Sequence, residues 1–80
     1  MKFLFNGFSY STHQGIFHYS ILKDGEKYLA VATKKRGRYQ YDYEETFRFW
    51  KEGNKWKTDK YINEWVLQDL VEQLEEWQRS

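Results

Sequence analysis

The sequence contains no cysteine and no proline, and it has no long apolar run. Without cysteine the chain can form neither disulfides nor thiolate metal sites, and thiol catalysis is excluded. No apolar segment approaches the ~20 residues that a membrane helix requires, and the opening stretch 1–5 is too short for the core of a signal peptide. We therefore expect a soluble protein of a reducing compartment such as the cytoplasm.

The 80 residues are enough for one domain and leave no room for a second core, so we expect a single domain over residues 1–80. Aromatic residues supply much of the apolar material, because Phe, Tyr and Trp make up 21% of the chain. Each of these side chains buries a large area, and a compact core is the simplest explanation for most of them.

The net charge of +1 hides an uneven distribution. Residues 23–60 carry eleven Lys and Arg against seven Asp and Glu, a net charge of +4. Residues 61–80 carry one Arg against five acidic residues, a net charge of −4. The sequence therefore predicts a basic region followed by an acidic one.

Two turn signals separate segments of alternating polarity. Asp24-Gly25 predicts a tight hairpin turn that pairs Ile21 with Tyr28. A second turn around 36–37 predicts further pairings, of Ala32 with Tyr41 and of Ala30 with Tyr43. Both registers place the same residues on one aromatic face of a sheet. That face would carry Phe17, Tyr19, Ile21, Tyr28, Ala30, Ala32, Tyr39, Tyr41, Tyr43, Phe47 and Phe49. The opposite, wetter face would carry His18, Ser20, Leu22, Leu29, Val31, Thr33, Gln40, Asp42 and Glu44.

The two ends of the chain complete the predicted fold. Phe3, Phe5, Phe8 and Tyr10 fit a first strand that Gly7 would interrupt. Residues 52–54 predict a turn that pairs the strand ending at Trp50 with the one containing Trp56. After Thr58 and Asp59, either of which suits a helix N-cap, the apolar period changes to three and four residues. This pattern runs through Ile62, Val66, Leu67, Leu70, Val71, Leu74 and Trp77. We predict an α+β fold, with four to five antiparallel strands over about 2–57 and one C-terminal helix over about 59–78, packed on the aromatic face.

The sequence offers little for catalysis. Ser20, His18 and Asp42 could form a triad on paper, but nothing shields them from water or supplies an oxyanion hole. His13 and His18 have no third nitrogen or sulfur ligand for a metal. The glycines are scattered at turns and form no phosphate-binding loop. We predict a protein that is not an enzyme and that uses no cofactor or metal.

A basic hairpin tip is the first candidate binding surface. Cations beside aromatic rings suit single-stranded nucleic acid, since cations neutralise phosphates and rings stack on bases. The same cations also guard strand edges and improve solubility, which is the plainer explanation. The predicted partner-binding residues are Lys34, Lys35, Arg36, Arg38, Tyr39, Tyr41, Arg48, Trp50, Trp56 and Lys57.

Surplus aromatic surface is the second candidate. One helix covers only part of the predicted aromatic face, so some rings should be exposed, and Tyr, Trp and Arg are the residues that anchor protein interfaces. The partner would be a foreign protein or a second copy of this chain, joined across an open sheet edge.

A family resemblance adds to this interpretation. The start Met1-Lys2-Phe3, the position of His13 before the hairpin 23–27 and the aromatic-acidic run 41–45 resemble the layout of small phage anti-CRISPR proteins, particularly a type I-F inhibitor. The resemblance ends after Trp50, and no binding residues are carried over from it.

The resemblance implies a short, non-catalytic protein that blocks a bacterial effector complex in the host cytoplasm. We therefore expect a stoichiometric inhibitor that occupies a surface of a larger protein or ribonucleoprotein. The alternative is a single-stranded nucleic-acid-binding module that uses the same basic hairpin and aromatic residues.

Overall fold

A computed structural model describes residues 1–11, 15–34 and 46–80. Within these ranges five strands precede one helix, namely β1 (Lys2–Ser11), β2 (Gly15–Asp24), β3 (Lys27–Lys34), β4 (Phe47–Glu52), β5 (Lys55–Thr58) and α1 (Glu64–Arg79). These strands form one antiparallel sheet in the order β1-β2-β3-β4-β5, so each described strand pairs with the next described one. This confirms the predicted α+β fold with a C-terminal helix.

The β2–β3 hairpin has a different register from the predicted one. Asp24 pairs with Lys27, and Ile21 pairs with Ala30 instead of Tyr28. The two central residues are therefore 25 and 26, and Gly25 takes the positive φ of 64° that a type II′ turn requires at its first central position. The predicted pairing is wrong by two residues. Because side chains alternate with a period of two, a shift of two leaves each of them on its predicted face.

The core lies between α1 and the face of the sheet that was predicted to be aromatic. Its buried members are Phe17, Tyr19, Ile21, Ala30, Phe47 and Phe49 from the sheet, and Val66, Leu70, Val71 and Leu74 from the helix. The predicted tyrosine strand at 39–44 lies outside the described residues. In the described part of the chain β3 pairs with β4, where Tyr28 faces Phe49 and Ala30 faces Phe47, so the predicted pairing of Ala30 with Tyr43 is wrong.

The helix begins later than predicted, because Asp59 bonds the sheet and Thr58 bonds the turn that follows β5. Asp59 accepts a hydrogen bond from the backbone N–H of Arg48 at 3.0 Å, and its own N–H donates to the Arg48 carbonyl at 3.1 Å. Thr58 donates from its hydroxyl to the Lys60 carbonyl at 2.6 Å. Helical geometry starts at Glu64, with Asn63 as the N-cap residue.

Strand β1 runs through Gly7 without interruption, and its one irregularity lies earlier. Phe3 pairs with Leu22 and Phe5 with Ile21, so Leu4 is an extra residue between them. This bulge sets the faces of the rest of the strand. Phe5 points toward α1, where its ring stacks on Trp77 at 5.9 Å, while the rings of Phe8 and Tyr10 are left on the opposite face.

Candidate functional site

The face of the sheet opposite α1 has exposed aromatic side chains on β1 and β2. Cross-strand pairing brings Phe8 next to His18 and Tyr10 next to Ile16. Phe8 and Tyr10 are 50% and 57% exposed, and Ile16 is 42% exposed. We call the β1–β2 end of this surface and the adjoining part of β3 the uncharged face; the charged residues Asp24, Lys27 and Arg48 adjoin it on the same side of the sheet. The uncharged face consists of Phe3, Asn6, Phe8, Tyr10, Ile16, His18, Ser20, Leu22, Leu29 and Val31.

The polar groups of the uncharged face are partly satisfied within it. Ser20 donates a hydrogen bond from its hydroxyl to Asn6 Oδ1 at 3.1 Å. A depression beside this pair is lined by Asn6, His18, Tyr19 and Thr33. It lies where Thr33 is an extra residue in β3, between the pairs that Ala32 and Lys34 make with β2. Since Asn6 and Ser20 bond each other, covering them with another surface leaves fewer unmatched polar atoms.

A group of cations surrounds Trp50 farther along the same side of the sheet. Lys27 places its ammonium 4.2 Å from the centroid of the Trp50 ring, and Lys57 pairs with Trp50 across the β4–β5 hairpin. Arg48 donates through Nε to Asp24 Oδ2 at 3.1 Å, and both side chains are partly exposed. We call Lys27, Arg48, Trp50 and Lys57 the cationic strip. An aromatic ring flanked by cations can contact an apolar group and an anionic group of a partner at the same time.

Three of the predicted site residues meet in the cationic strip, namely Arg48, Trp50 and Lys57. Trp56 lies on the other face, half-buried, with its ring 5.7 Å from Phe49, so its main contacts are with the core. Lys34 is the last residue of β3, and its side chain lies outside the described structure. The remaining predicted residues, Lys35, Arg36, Arg38, Tyr39 and Tyr41, lie outside the described residues.

The exposed rings of β1 are the part of the surface that sequence reasoning missed. The first strand was predicted as one aromatic set, without a division between faces. The available signal was the small residues Gly7 and Ser9, which alternate with Phe8 and Tyr10. Both small residues are buried under α1, and small residues between exposed rings indicate which side of a strand meets another element closely.

The β1 edge of the sheet is occupied by side chains of α1. Gln73 accepts a hydrogen bond from the Phe8 N–H at 3.0 Å and donates to the Phe8 carbonyl at 2.6 Å. Asp69 accepts from the Ser9 hydroxyl at 2.7 Å. It also lies 3.4 Å from the Tyr10 N–H, which donates to it. These bonds take the places that another strand would use, which protects the edge from strand pairing.

The other edge is β5, which has four residues, with lysine at positions 55 and 57. A short edge strand that carries lysines is a poor template for pairing. The sequence left open a homodimer joined across a sheet edge. The β1 edge is bonded by α1 at Phe8 and Tyr10, and the β5 edge is short and charged.

Neither a metal cluster nor a membrane-spanning helix is found in the part of the chain that the structure describes. Within residues 1–11, 15–34 and 46–80, no three His, Cys, Asp or Glu side chains are grouped so that they could hold a metal ion. No helix in these ranges combines the length and apolar character needed to cross a bilayer. His18 and Ser20 are partly exposed on the uncharged face. Asp42, the third residue of the triad considered from the sequence, lies outside these ranges.

Comparison of the chain with protein-family models, with curated proteins and with solved structures finds no match.

Proposed function

We propose that this chain is a non-enzymatic binding protein that acts by occupying a surface of a larger protein or ribonucleoprotein. The observation that supports the proposal is the cationic strip, where Lys27, Arg48 and Lys57 are gathered around Trp50 on the side of the sheet opposite α1. Trp and Arg contribute most to the binding energy of protein interfaces when they become desolvated. Lysines around them accelerate association with anionic surfaces.

The charge distribution supports a defined orientation of binding. The exposed acidic residues of α1 are Glu64, Glu72, Glu75 and Glu76, and they lie on the side of the sheet opposite the cationic strip. An anionic partner is therefore attracted to the strip and repelled by the helix. The partner surface that suits the strip has carboxylates or phosphates next to an apolar patch large enough to receive Trp50.

Within this proposal the protein is a stoichiometric inhibitor of the anti-CRISPR kind, encoded by a phage or mobile element and active in the host cytoplasm. Binding by itself would block the working surface of the partner. Inhibition should then reach its maximum at a one-to-one ratio of inhibitor to target site.

Nucleic acid is the competing partner, because the Lys27–Trp50 contact also suits a stacked base beside a phosphate. The two partners are separated by binding to a labelled single-stranded oligonucleotide at two salt concentrations. Micromolar binding that weakens steeply with salt and is lost in Lys27→Glu/Lys57→Glu would establish nucleic acid as the ligand. Absence of binding at low salt would exclude it.

The protein partner is tested with the same double variant and a matched control. Lys2→Glu/Lys51→Glu changes the charge equally, at exposed lysines that the strand registers place on the helix side. Each protein is immobilised and exposed to bacterial extract, and retained complexes are identified by mass spectrometry and then purified for titration. We expect a complex that wild type and control retain and the strip variant loses. Equal retention by the strip variant would contradict the role of the strip.

A further inference from the structure

We propose that Asn6 is a site of spontaneous covalent modification, whose deamidation is suppressed while strand β1 is paired and proceeds when the β1 edge opens. Asn6 lies outside the cationic strip, so this site is independent of the proposed function. In the sequence Asn6 is followed by Gly7. Glycine has no Cβ, so its backbone nitrogen is unhindered and its backbone reaches conformations that other residues exclude. The other asparagines, Asn54 and Asn63, are followed by lysine and glutamate, whose side chains hinder the same reaction.

Deamidation needs only water and the groups of these two residues. The Gly7 backbone nitrogen loses its proton to solvent and attacks Cγ of Asn6, so that a new bond joins nitrogen and carbon. The bond from Cγ to the side-chain nitrogen then breaks, and that nitrogen takes a proton from water and leaves as ammonia. Water opens the resulting five-membered succinimide ring at one of its two carbonyls. One opening gives aspartate, and the other gives isoaspartate, in which the main chain passes through Cβ.

The geometry of strand β1 keeps the two reacting atoms apart. Ring closure requires the Gly7 nitrogen to be eclipsed with Cβ about the Cα–C bond of Asn6, whereas a ψ of about +135° in an antiparallel strand turns the nitrogen far from that position. The Asn6 amide is also held toward β2, because its Oδ1 accepts from the Ser20 hydroxyl at 3.1 Å. Asn6 is exposed to water, so strand geometry provides the protection and burial does not.

The attacking nitrogen is held as well. The N–H and the carbonyl of Phe8 face Gln73 at the edge of the sheet. Because these groups alternate in direction along an antiparallel strand, those of Gly7 face β2, where Tyr19 is its partner. Gly7 is buried, and a Cβ on it would lie 3.0 Å from Leu70 Cδ2. The backbone at Gly7 therefore cannot rotate into the reactive conformation unless β1 separates from β2 and the helix.

Deamidation thus depends on local opening of the β1 edge, which must break the Asn6–Ser20 and Phe8–Gln73 bonds. Edge strands open locally at a lower free energy than the whole domain unfolds. Isoaspartate adds a methylene group to the main chain at residue 6, which displaces Gly7 from its close contact with the helix. Strand β1 then cannot close in its original register, so the modification makes a reversible opening irreversible.

Incubation of the whole chain at mildly alkaline pH, folded and in concentrated guanidinium chloride, tests the proposal. Peptide mapping by mass spectrometry quantifies the products at residue 6 and separates them from changes at Asp24-Gly25. In the denatured chain Asn6 should react before Asn54 and Asn63, and in the folded protein it should react at least roughly tenfold more slowly. Asn6→Gln is the control, since its six-membered ring closes much more slowly. Equal rates at Asn6 in the folded and denatured chains would overturn the proposal.

A pair of helix variants tests the dependence on the β1 edge. Gln73→Ala removes both bonds to the Phe8 backbone and should accelerate modification of the folded protein by about fivefold. Gln68→Ala, on the exposed side of the same helix, should react like wild type. Near-UV circular dichroism verifies that both variants are folded. Equal rates in the two variants would show that opening of this edge does not control the reaction.

The effect of the product is measured on the purified isoaspartyl protein. Asn6→Asp reproduces the other product, with a main chain of normal length and an acceptor for the Ser20 hydroxyl. We expect the isoaspartyl protein to unfold at a lower denaturant concentration than Asn6→Asp and to lose protection of the Phe8 amide from hydrogen exchange. Equal stability and protection in the two proteins would contradict the irreversible step.

Discussion

The side chain of Gln73 bonds both backbone groups of Phe8, with its amide nitrogen 2.6 Å from the Phe8 carbonyl and its Oε1 3.0 Å from the Phe8 nitrogen. A primary amide in this position supplies one donor and one acceptor, as the backbone of an adjacent strand would. Residue 73 of the helix thereby completes the edge of strand β1.

Replacing Gln73 with alanine should open this part of the edge. We expect a loss of about 1 kcal/mol in the free energy of unfolding, because water can reach the freed groups and replace part of the bonding. The Phe8 amide should also exchange its hydrogen faster. Chemical denaturation and amide hydrogen exchange measure the two effects.

Gln68→Ala is the matched control for the Gln73 prediction. Gln68 lies on the same helix, is exposed, and donates to the Glu72 side chain at 3.3 Å. Its removal should change stability by less than about 0.5 kcal/mol. Equal effects of the two substitutions would show that the Gln73–Phe8 bonds contribute nothing specific.

Gly7→Ala should destabilise the protein by about 1–3 kcal/mol through overpacking. A Cβ at position 7 would lie 3.0 Å from Leu70 Cδ2 and 3.1 Å from Gln73 Oε1. Leu70 is fully buried, so it has little freedom to move away. Thermal or chemical denaturation of the variant measures the cost.

The source of that cost can be tested by shortening Leu70. Leu70→Val removes the Cδ2 atom that the new methyl group would meet. In a double-mutant cycle, Leu70→Val should therefore cost less in the Gly7→Ala background than in wild type. Purely additive losses would mean that the methyl group does not press on Leu70.

Phe49→Ala should cost about 3–5 kcal/mol in the free energy of unfolding. The Phe49 ring is fully buried, and its centroid lies 5.4 Å from that of Tyr28 and 5.7 Å from that of Trp56. Tyr61→Ala is the aromatic control, because Tyr61 is 89% exposed, and it should change stability by less than about 0.5 kcal/mol. A Phe49→Ala variant within about 1 kcal/mol of wild type would refute the role of Phe49 in the core.

The Arg48–Asp24 ion pair should contribute little to stability. Its side chains are 45% and 34% exposed, at an N–O distance of 3.1 Å, and exposed pairs are usually worth about 0.2–1 kcal/mol. A double-mutant cycle with Arg48→Gln and Asp24→Asn should give a coupling energy in this range, smaller at high salt. A coupling above about 2 kcal/mol that does not respond to salt would contradict this assignment.

The hairpin between β2 and β3 shows which features of a sheet can be predicted from sequence patterns and which cannot. Alternation placed Tyr19, Ile21 and Ala30 on one face, and all three are buried there. The turn signal centred the hairpin one position too early, because Asp24-Gly25 and Gly25-Glu26 both put a glycine at a central position. The choice between them shifts the pairing by two residues and leaves the faces unchanged, so the core was predictable although the pairs were not.

The start of the helix shows where the same reasoning fails. Thr58 and Asp59 are good capping residues by type, but a side chain that can cap a helix can also bond a neighbouring strand. Asp59 lies beside β4 and accepts from the Arg48 N–H, so the helix begins at Glu64 instead. The position of β4 decides which group Asp59 binds. The residues next to Asp59 in the sequence carry no information about that position.

The sequence by itself determined that this chain forms an antiparallel sheet with one amphipathic helix, and which side of strands β2 to β4 meets that helix. Those features follow from periods of two and of three to four residues, which are local properties of the chain. The tertiary structure decided which rings of β1 are exposed, which edge is covered and which cations gather around Trp50. Gln73 and Phe8 are 65 residues apart in the chain, and contacts at such separations depend on how the packed helix and sheet lie against each other.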